Sequence, residues 1–266
     1  MKLNKIMTFF YIGLPICMIL RMIQIAFTID FESGFYKEGY IEYSNGILFV
    51  IVLFCAALMF FCYKAFEAPK NIPNGNFLLA TGSTILSASL VYEVYKEVLP
   101  NIIFNWQNFL IKGFGILAAV YFILIAFQCG LKIKIHPMLH IVPVIYLIIK
   151  TVFTFINISS LAIISDNIFI MAAYCVTLLF FVNYLKLYND IDDECNFRKI
   201  LATGLCSSVI CLTQSVSYFT VNFISDIQYT HTDSITNLTL LGLGCFSLFF
   251  VISHFSIQKS YNRRYK

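Results

Sequence analysis

The chain has 266 residues, of which 59% are hydrophobic and only 12% are charged, and its formal net charge is +4. A mean hydropathy of +0.81 excludes a soluble globular domain of ordinary composition. The small positive charge gives no reason to expect nucleic acid as a partner, so the composition indicates an integral membrane protein surrounded by a lipid bilayer.

Eight segments are long and apolar enough to cross a membrane, because a helix needs about 20 mostly apolar residues to span a hydrocarbon core of roughly 30 Å. They cover residues 7–27, 46–66, 77–98, 109–129, 140–156, 161–185, 200–224 and 237–257. Lys2 and Lys5 precede the first segment as they would in a signal peptide. Its apolar run is too long and lacks a small-residue cleavage site, so we expect a retained helix. The sequence therefore predicts an all-α bundle of eight transmembrane helices.

The distribution of Lys and Arg predicts which way the bundle faces. With a cytoplasmic N-terminus, the inner segments hold nearly all of these residues and the outer loops hold only Lys37 and Lys96. Both termini are then inside, and the basic tail contacts anionic lipid headgroups at the cytoplasmic face. An abundance of Ile, Asn, Lys and Phe is compatible with an AT-rich bacterial genome, so we expect a multi-pass protein of the bacterial cytoplasmic membrane.

The nine cysteines and the connection after the first helix carry further expectations. No cysteine falls in an outer loop, so the sequence predicts free thiols that pack as small apolar groups. Residues 30–44 form an outer connection rich in acidic and aromatic residues. It is long enough to act as a lid, or to meet a ligand or a protein partner outside.

The second half of the chain repeats features of the first half. The tetrapeptide Leu-Ala-Thr-Gly at residues 79–82 returns at residues 201–204. Since four helices separate the copies, residues 1–130 and 131–266 would be two parallel four-helix repeats related by an axis along the membrane normal. Small residues form a stripe on the third helix and another on the seventh, and they either face the bundle centre or pack against neighbouring helices.

Polar and ionisable side chains inside the predicted spans are the best indicators of a site, because a charge at mid-bilayer costs on the order of 3 kcal/mol. They concentrate in the predicted outer half: Arg21, Gln24, Glu93, Lys112, Lys150, Asp166 and Gln214. This convergence predicts a polar cavity that opens outward and receives a small anionic or polar solute. The alternative is structural, with Arg21 paired to Glu93 or Asp166 and the lysines reaching the interface.

Motifs for catalysis or metal binding are lacking. The sequence contains no His-Glu-x-x-His, no Gly-x-Ser-x-Gly and no phosphate-binding glycine loop, so we assign no catalytic residue, metal or cofactor. His136 and His140 have helical ligand spacing, but no third ligand is fixed. Asn-Asp-x-x-Asp at 189–193 resembles half of the Mg-diphosphate site of intramembrane aromatic prenyltransferases, yet the matching inner loop offers only Glu67.

Three functions follow from these patterns. The leading hypothesis is a small-solute transporter or permease-like protein with its site between the repeats. The alternative is a non-transporting sensor or partner subunit that recognises a ligand or protein through residues 30–44. An intramembrane transferase using the acidic run is the least favoured.

Overall fold

A computed structural model describes residues 3–30, 35–64, 76–98, 106–131, 135–160, 165–189, 196–224 and 234–264. Across these ranges the chain is all-helical, apart from one isolated bridge between Ile29 and Tyr36. Each long helix contains a stretch apolar enough to span a membrane, so the chain is a polytopic membrane protein with eight candidate spans in the described residues. The helices are α1 (Leu3–Ile23), α2 (Ile41–Tyr63), α3 (Phe77–Val98), α4 (Trp106–Leu131), α5 (Val142–Ser160), α6 (Ser165–Tyr188), α7 (Asn196–Ile224) and α8 (Ser234–Arg264).

Hydropathy predicts α3 to the residue but places the start of α2 too late. The helix begins at Ile41, so Ser44 lies inside it rather than in the preceding connection. The predicted outer connection of residues 30–44 is therefore shorter than expected. Polar residues in the first turn hide this start from a hydropathy window, although Glu42 is favourable there because a carboxylate complements the positive end of a helix.

A π-helix, Gln24–Thr28, follows α1 without a break. The chain then folds back on this turn, because the amide of Lys37 donates to the Thr28 carbonyl at 2.9 Å. The amide of Asp30 donates to the Phe35 carbonyl at 2.8 Å, and Gly39 turns the chain toward α2 with φ of 81°. The described part of the connection thus forms a short hairpin against the end of α1.

The most buried helix is α7, because 83% of the residues in its apolar 18-residue stretch are buried, against 22% in the corresponding stretch of α2. Its neighbours are α1, α2, α6 and α8, whereas α3 packs between α4 and α8. The helix α5 connects α4 to α6 around the outside. This arrangement packs α1 and α6 against the same helix, α7.

The small-residue stripes of α3 and α7 both pack against α8. A Cβ placed on Gly82 of α3 would lie 3.1 Å from the Phe249 ring, and one placed on Gly204 of α7 would lie 2.7 Å from Val251 Cγ2. The hydroxyls of Ser208 and Ser247 are 2.9 Å apart between α7 and α8. These contacts agree with the expectation that the stripes pack against a neighbouring helix. The duplication of the two halves stays a prediction.

The structure tests one of the remaining expectations for the described residues and leaves the others untested. The cysteines whose side chains it describes are free thiols, as expected: Cys17, Cys55, Cys62, Cys175, Cys206, Cys211 and Cys245. Residues 190–195 of the acidic run lie outside the described ranges. The sidedness of the bundle stays a prediction, and the end where α1, α3, α5 and α7 finish is called the predicted outer end below.

Candidate functional site

Arg21, in the last turn of α1, is fully buried and is the centre of a polar cluster. Its Nη2 forms an ion pair with Asp166 in the first turn of α6. Nε and Nη2 donate to Oε1 of Gln214 on α7 at 3.1 and 3.0 Å, and Nη1 donates to Oε1 of Gln24. The guanidinium carbon also lies 4.5 Å from the ring centroid of Phe169. Arg21, Gln24, Asp166 and Gln214 are named the Arg21 cluster, and they join α1, α6 and α7.

The π-helix extends this cluster toward α2. Gln24 Nε2 donates to the Ser44 hydroxyl at 2.7 Å and to the Ser44 carbonyl at 3.1 Å. The Thr28 hydroxyl donates to the Gln24 carbonyl at 2.7 Å. Gln24 and Thr28 are both buried in this turn. A π-helix is rare and is frequently found at functional sites, so its position beside Arg21 favours a site here.

Among the described residues, two fully buried atoms of the Arg21 cluster have no hydrogen-bond partner: Oδ2 of Asp166 and Nε2 of Gln214. The orientation of the Gln214 amide follows from Arg21, which presents only donors, so the amide oxygen must face it and the amide nitrogen must point away. An unsatisfied buried polar group costs about 1–3 kcal/mol. The cluster therefore offers one acceptor and one donor that no described residue uses.

Glu93 on α3 belongs to a second cluster with a different character. Its Oε1 pairs with Lys150 of α5. Its Oε2 accepts hydrogen bonds from the Tyr146 hydroxyl at 3.0 Å and from the Thr239 hydroxyl of α8 at 2.8 Å. These four residues are named the Glu93 cluster. Both carboxylate oxygens are occupied, so this cluster is closed, and it ties α3, α5 and α8 together.

The seven predicted site residues thus divide between two clusters, with one exception. The sequence leaves Glu93 and Asp166 open as partners of Arg21, and in the structure Arg21 pairs with Asp166. Lys150 has a carboxylate partner in Glu93. Lys112 is partly buried on α4, a helix that supplies no member of either cluster. The polar residues therefore do not form one continuous lining.

Two surface grooves lie near the Arg21 cluster without including its members. One, between α1 and α2, is lined by Leu20, Glu42, Tyr43, Gly46, Ile47 and Val50. The other follows the outer face of the π-helix and is lined by Met22, Ile23, Ala26, Phe27, Thr220, Val221 and Ile224. Arg21, Gln24, Asp166 and Gln214 are each fully buried behind them.

His136 and His140, at the other end of the bundle, have structural partners. His136 Nδ1 accepts from the Met138 amide at 3.3 Å and so caps the 3₁₀-helix Pro137–Ile141. His140 Nδ1 lies 2.5 Å from the Tyr121 hydroxyl, and this hydroxyl donates to the Tyr184 hydroxyl at 3.1 Å. Among the described side chains, no group of three or more His, Cys, Asp or Glu is placed to hold a metal ion.

Sequence reasoning did not select four of the polar residues in these clusters: Thr28, Ser44, Tyr146 and Thr239. They are uncharged, and a serine, threonine or tyrosine in an apolar segment usually bonds to its own helix or lies at the headgroup level. The signal that could have selected Tyr146 is its helical spacing of i, i+4 before Lys150. No comparable spacing selects Ser44, because hydropathy places it outside the helix.

Comparisons with protein families, with curated proteins and with solved structures find no match for this chain. The Arg21 cluster and its surroundings are therefore the basis for inferring the function.

Proposed function

We propose that this polytopic membrane protein is a small-solute transporter or permease-like protein whose polar site is the Arg21 cluster, reached from the predicted outer end. The observation that carries the proposal is the unpartnered acceptor and donor, Asp166 Oδ2 and Gln214 Nε2, beside a buried guanidinium in a membrane-spanning bundle. Ionisable groups buried inside membrane-spanning helices are costly in free energy, and they typically mark solute or ion pathways.

The position of the cluster in the bundle supports the same function. It lies where α1, α6 and α7 meet, and α7 is the most buried span. Transporter sites are commonly formed where a helix loses its regular hydrogen-bonding pattern. Here the pattern changes from α to π at Gln24, one turn after Arg21.

The Glu93 cluster has the properties of an anchor under this proposal. Each oxygen of its carboxylate already has a donor within the protein, so it leaves no unsatisfied oxygen, in contrast to Asp166 Oδ2. Its closed hydrogen bonding holds α3, α5 and α8 in place beside the three helices of the Arg21 cluster.

A transport assay tests the proposal. The purified protein is reconstituted in liposomes and incubated with a mixture of polyols, amino acids, carboxylates and amines, after which the retained solutes are identified by mass spectrometry. We expect at least one solute to be retained above the level of protein-free liposomes. Retention equal to that of protein-free liposomes for the whole mixture would refute transport of these classes.

A second candidate function is recognition of a partner through the hairpin that follows the π-helix. The observation in its favour is the exposure of three aromatic side chains, Phe35 and Tyr40 in the hairpin and Tyr43 in the first turn of α2, of which Tyr43 is 70% exposed. A sensor or partner subunit would lose its bound partner on co-purification when Phe35 and Tyr40 are replaced by Ser. Unchanged co-purification, or the absence of any partner from the wild type, would count against this function.

A further inference from the structure

The net charge of the Arg21 cluster restricts what it can bind. Arg21 and Asp166 carry opposite charges and form an ion pair, while Gln24 and Gln214 are neutral. Ser44 and Thr28, which extend the cluster, are neutral as well. An isolated charge brought into a buried, already balanced site lacks a counter-charge and loses its hydration. The cluster therefore disfavours free anions and free cations alike.

The unpartnered atoms restrict the ligand further. A ligand must donate to Asp166 Oδ2 and accept from Gln214 Nε2. Both side chains meet Nη2 of Arg21 through their other polar atom. Since a hydrogen bond joins heavy atoms about 3 Å apart, the two oxygens that accept from Nη2 lie within about 6 Å of each other. Each unpartnered atom belongs to the same carboxylate or carboxamide as one of these oxygens, so a small ligand with one donor and one acceptor is of the right size to meet both.

We infer that the Arg21 cluster is a binding site for a neutral solute carrying a carboxamide or hydroxyl group, which donates to Asp166 Oδ2 and accepts from Gln214 Nε2. The inference rests on the proposed transport function for its role, and it replaces the anionic solute among the sequence-based expectations. Gln24 and Phe169 hold the guanidinium in place, and the ligand contacts the far sides of its two other partners.

Three probes of nearly identical shape test the charge of the ligand directly: acetamide is neutral, acetate is anionic and acetamidinium is cationic at neutral pH. Their dissociation constants are measured by saturation-transfer NMR on the full-length protein in nanodiscs, at constant ionic strength. We expect the wild type to bind acetamide more tightly than either ion.

Two charge variants should redirect this preference. Asp166→Asn leaves the Arg21 charge unbalanced, so acetate becomes the preferred probe. Gln214→Glu adds a negative charge, so acetamidinium becomes the preferred probe. In each case we expect the ratio of dissociation constants to change by roughly tenfold or more, which corresponds to about 1.4 kcal/mol. Tyr146→Phe, in the closed Glu93 cluster, is the control and should keep the wild-type preference.

The outcomes separate binding from transport. Binding of acetamide without any solute retention in liposomes supports this inference and refutes the transport function. Solute retention with a probe preference that neither charge variant changes refutes this inference and leaves transport standing. Folded wild-type protein that binds none of the probes, with only water in the cluster, also overturns the inference. Gln214→Glu serves as the second test if Asp166→Asn does not fold.

Discussion

At the scale of single residues, the burial of Arg21 determines which partners its side chain requires. A guanidinium cannot lose its charge in a protein, so its burial requires a counter-charge and acceptors. The sequence shows that Arg21 needs a partner and offers Glu93 and Asp166 at the same predicted end of the bundle. It cannot choose between them, because the choice depends on which helices are neighbours. The structure places α6 and α7, not α3, beside the end of α1.

Asp166→Leu should strand the buried guanidinium. We expect the free energy of unfolding to fall by about 3–5 kcal/mol, because breaking a buried ion pair leaves one charge uncompensated. Unfolding of the purified protein in mixed micelles with increasing SDS measures this change. The double variant Arg21→Met with Asp166→Leu should recover most of the loss. A double variant that is less stable than Asp166→Leu alone would contradict the pairing.

Thr239→Val should weaken the closed Glu93 cluster, because the Thr239 hydroxyl is one of the two that donate to Glu93 Oε2. Hydrogen bonds between membrane helices average about 0.6 kcal/mol, with a maximum of about 1.7 kcal/mol, so we expect a loss within that range in the same unfolding assay. The control is Thr84→Val, whose hydroxyl is exposed and bonds to its own helix at the Thr81 carbonyl. Equal effects of the two variants would show that the contact to Glu93 contributes nothing.

At the scale of helices, close approach at small residues explains why α8 lies between α3 and α7. A Cβ placed on Gly242 of α8 would overlap Ser89 Oγ and lie 3.1 Å from the Cα of Leu86 on α3, so a larger residue here would require α3 to shift. In the sequence, Gly242 and Gly113 look equivalent, since each begins a Gly-x-Gly on an aligned helix. In the structure Gly113 has open space where its Cβ would lie. The repeated Gly-x-Gly motif therefore does not show which of its glycines make close contacts between helices.

These two glycines give a matched pair of variants. Gly242→Ala should reduce the free energy of unfolding by about 1–3 kcal/mol, because the added methyl group forces the α3 backbone away. Gly113→Ala should be neutral or stabilise by up to about 1 kcal/mol, because alanine is the better helix former. SDS unfolding measures both. A larger loss for Gly113→Ala than for Gly242→Ala would contradict the packing of α3 on α8.

Helix positions are the best-predicted part of the fold, and the π-helix is the least predictable. Hydropathy finds all eight spans because each must exclude polar backbone from lipid. It does not find Gln24–Thr28, since a change in hydrogen-bond register leaves the order of apolar residues intact. The sequence therefore indicates Gln24 as a site residue, because it is a polar residue in an apolar span, but it does not indicate the π-helix that Gln24 begins.

At the scale of the whole molecule, the orientation of the bundle follows from charge and not from packing. The positive-inside distribution predicts that the hairpin carrying Glu38 is outside and that Lys64, after α2, is inside. Cysteine placed at either exposed position should react with a membrane-impermeant maleimide accordingly, once native thiols are blocked. In intact cells we expect labelling of Glu38→Cys, and labelling of Lys64→Cys only after permeabilisation. The reverse pattern would invert the orientation.

Solute retention by one variant from each cluster shows whether the Arg21 cluster is the solute site. Gln214→Met removes the unpartnered donor of the Arg21 cluster, whereas Thr239→Val alters only the closed Glu93 cluster. At equal amounts of folded protein in the liposomes, the account predicts that Gln214→Met retains no more solute than protein-free liposomes and that Thr239→Val retains as much as the wild type. Retention that is lost in Thr239→Val and kept in Gln214→Met would contradict it.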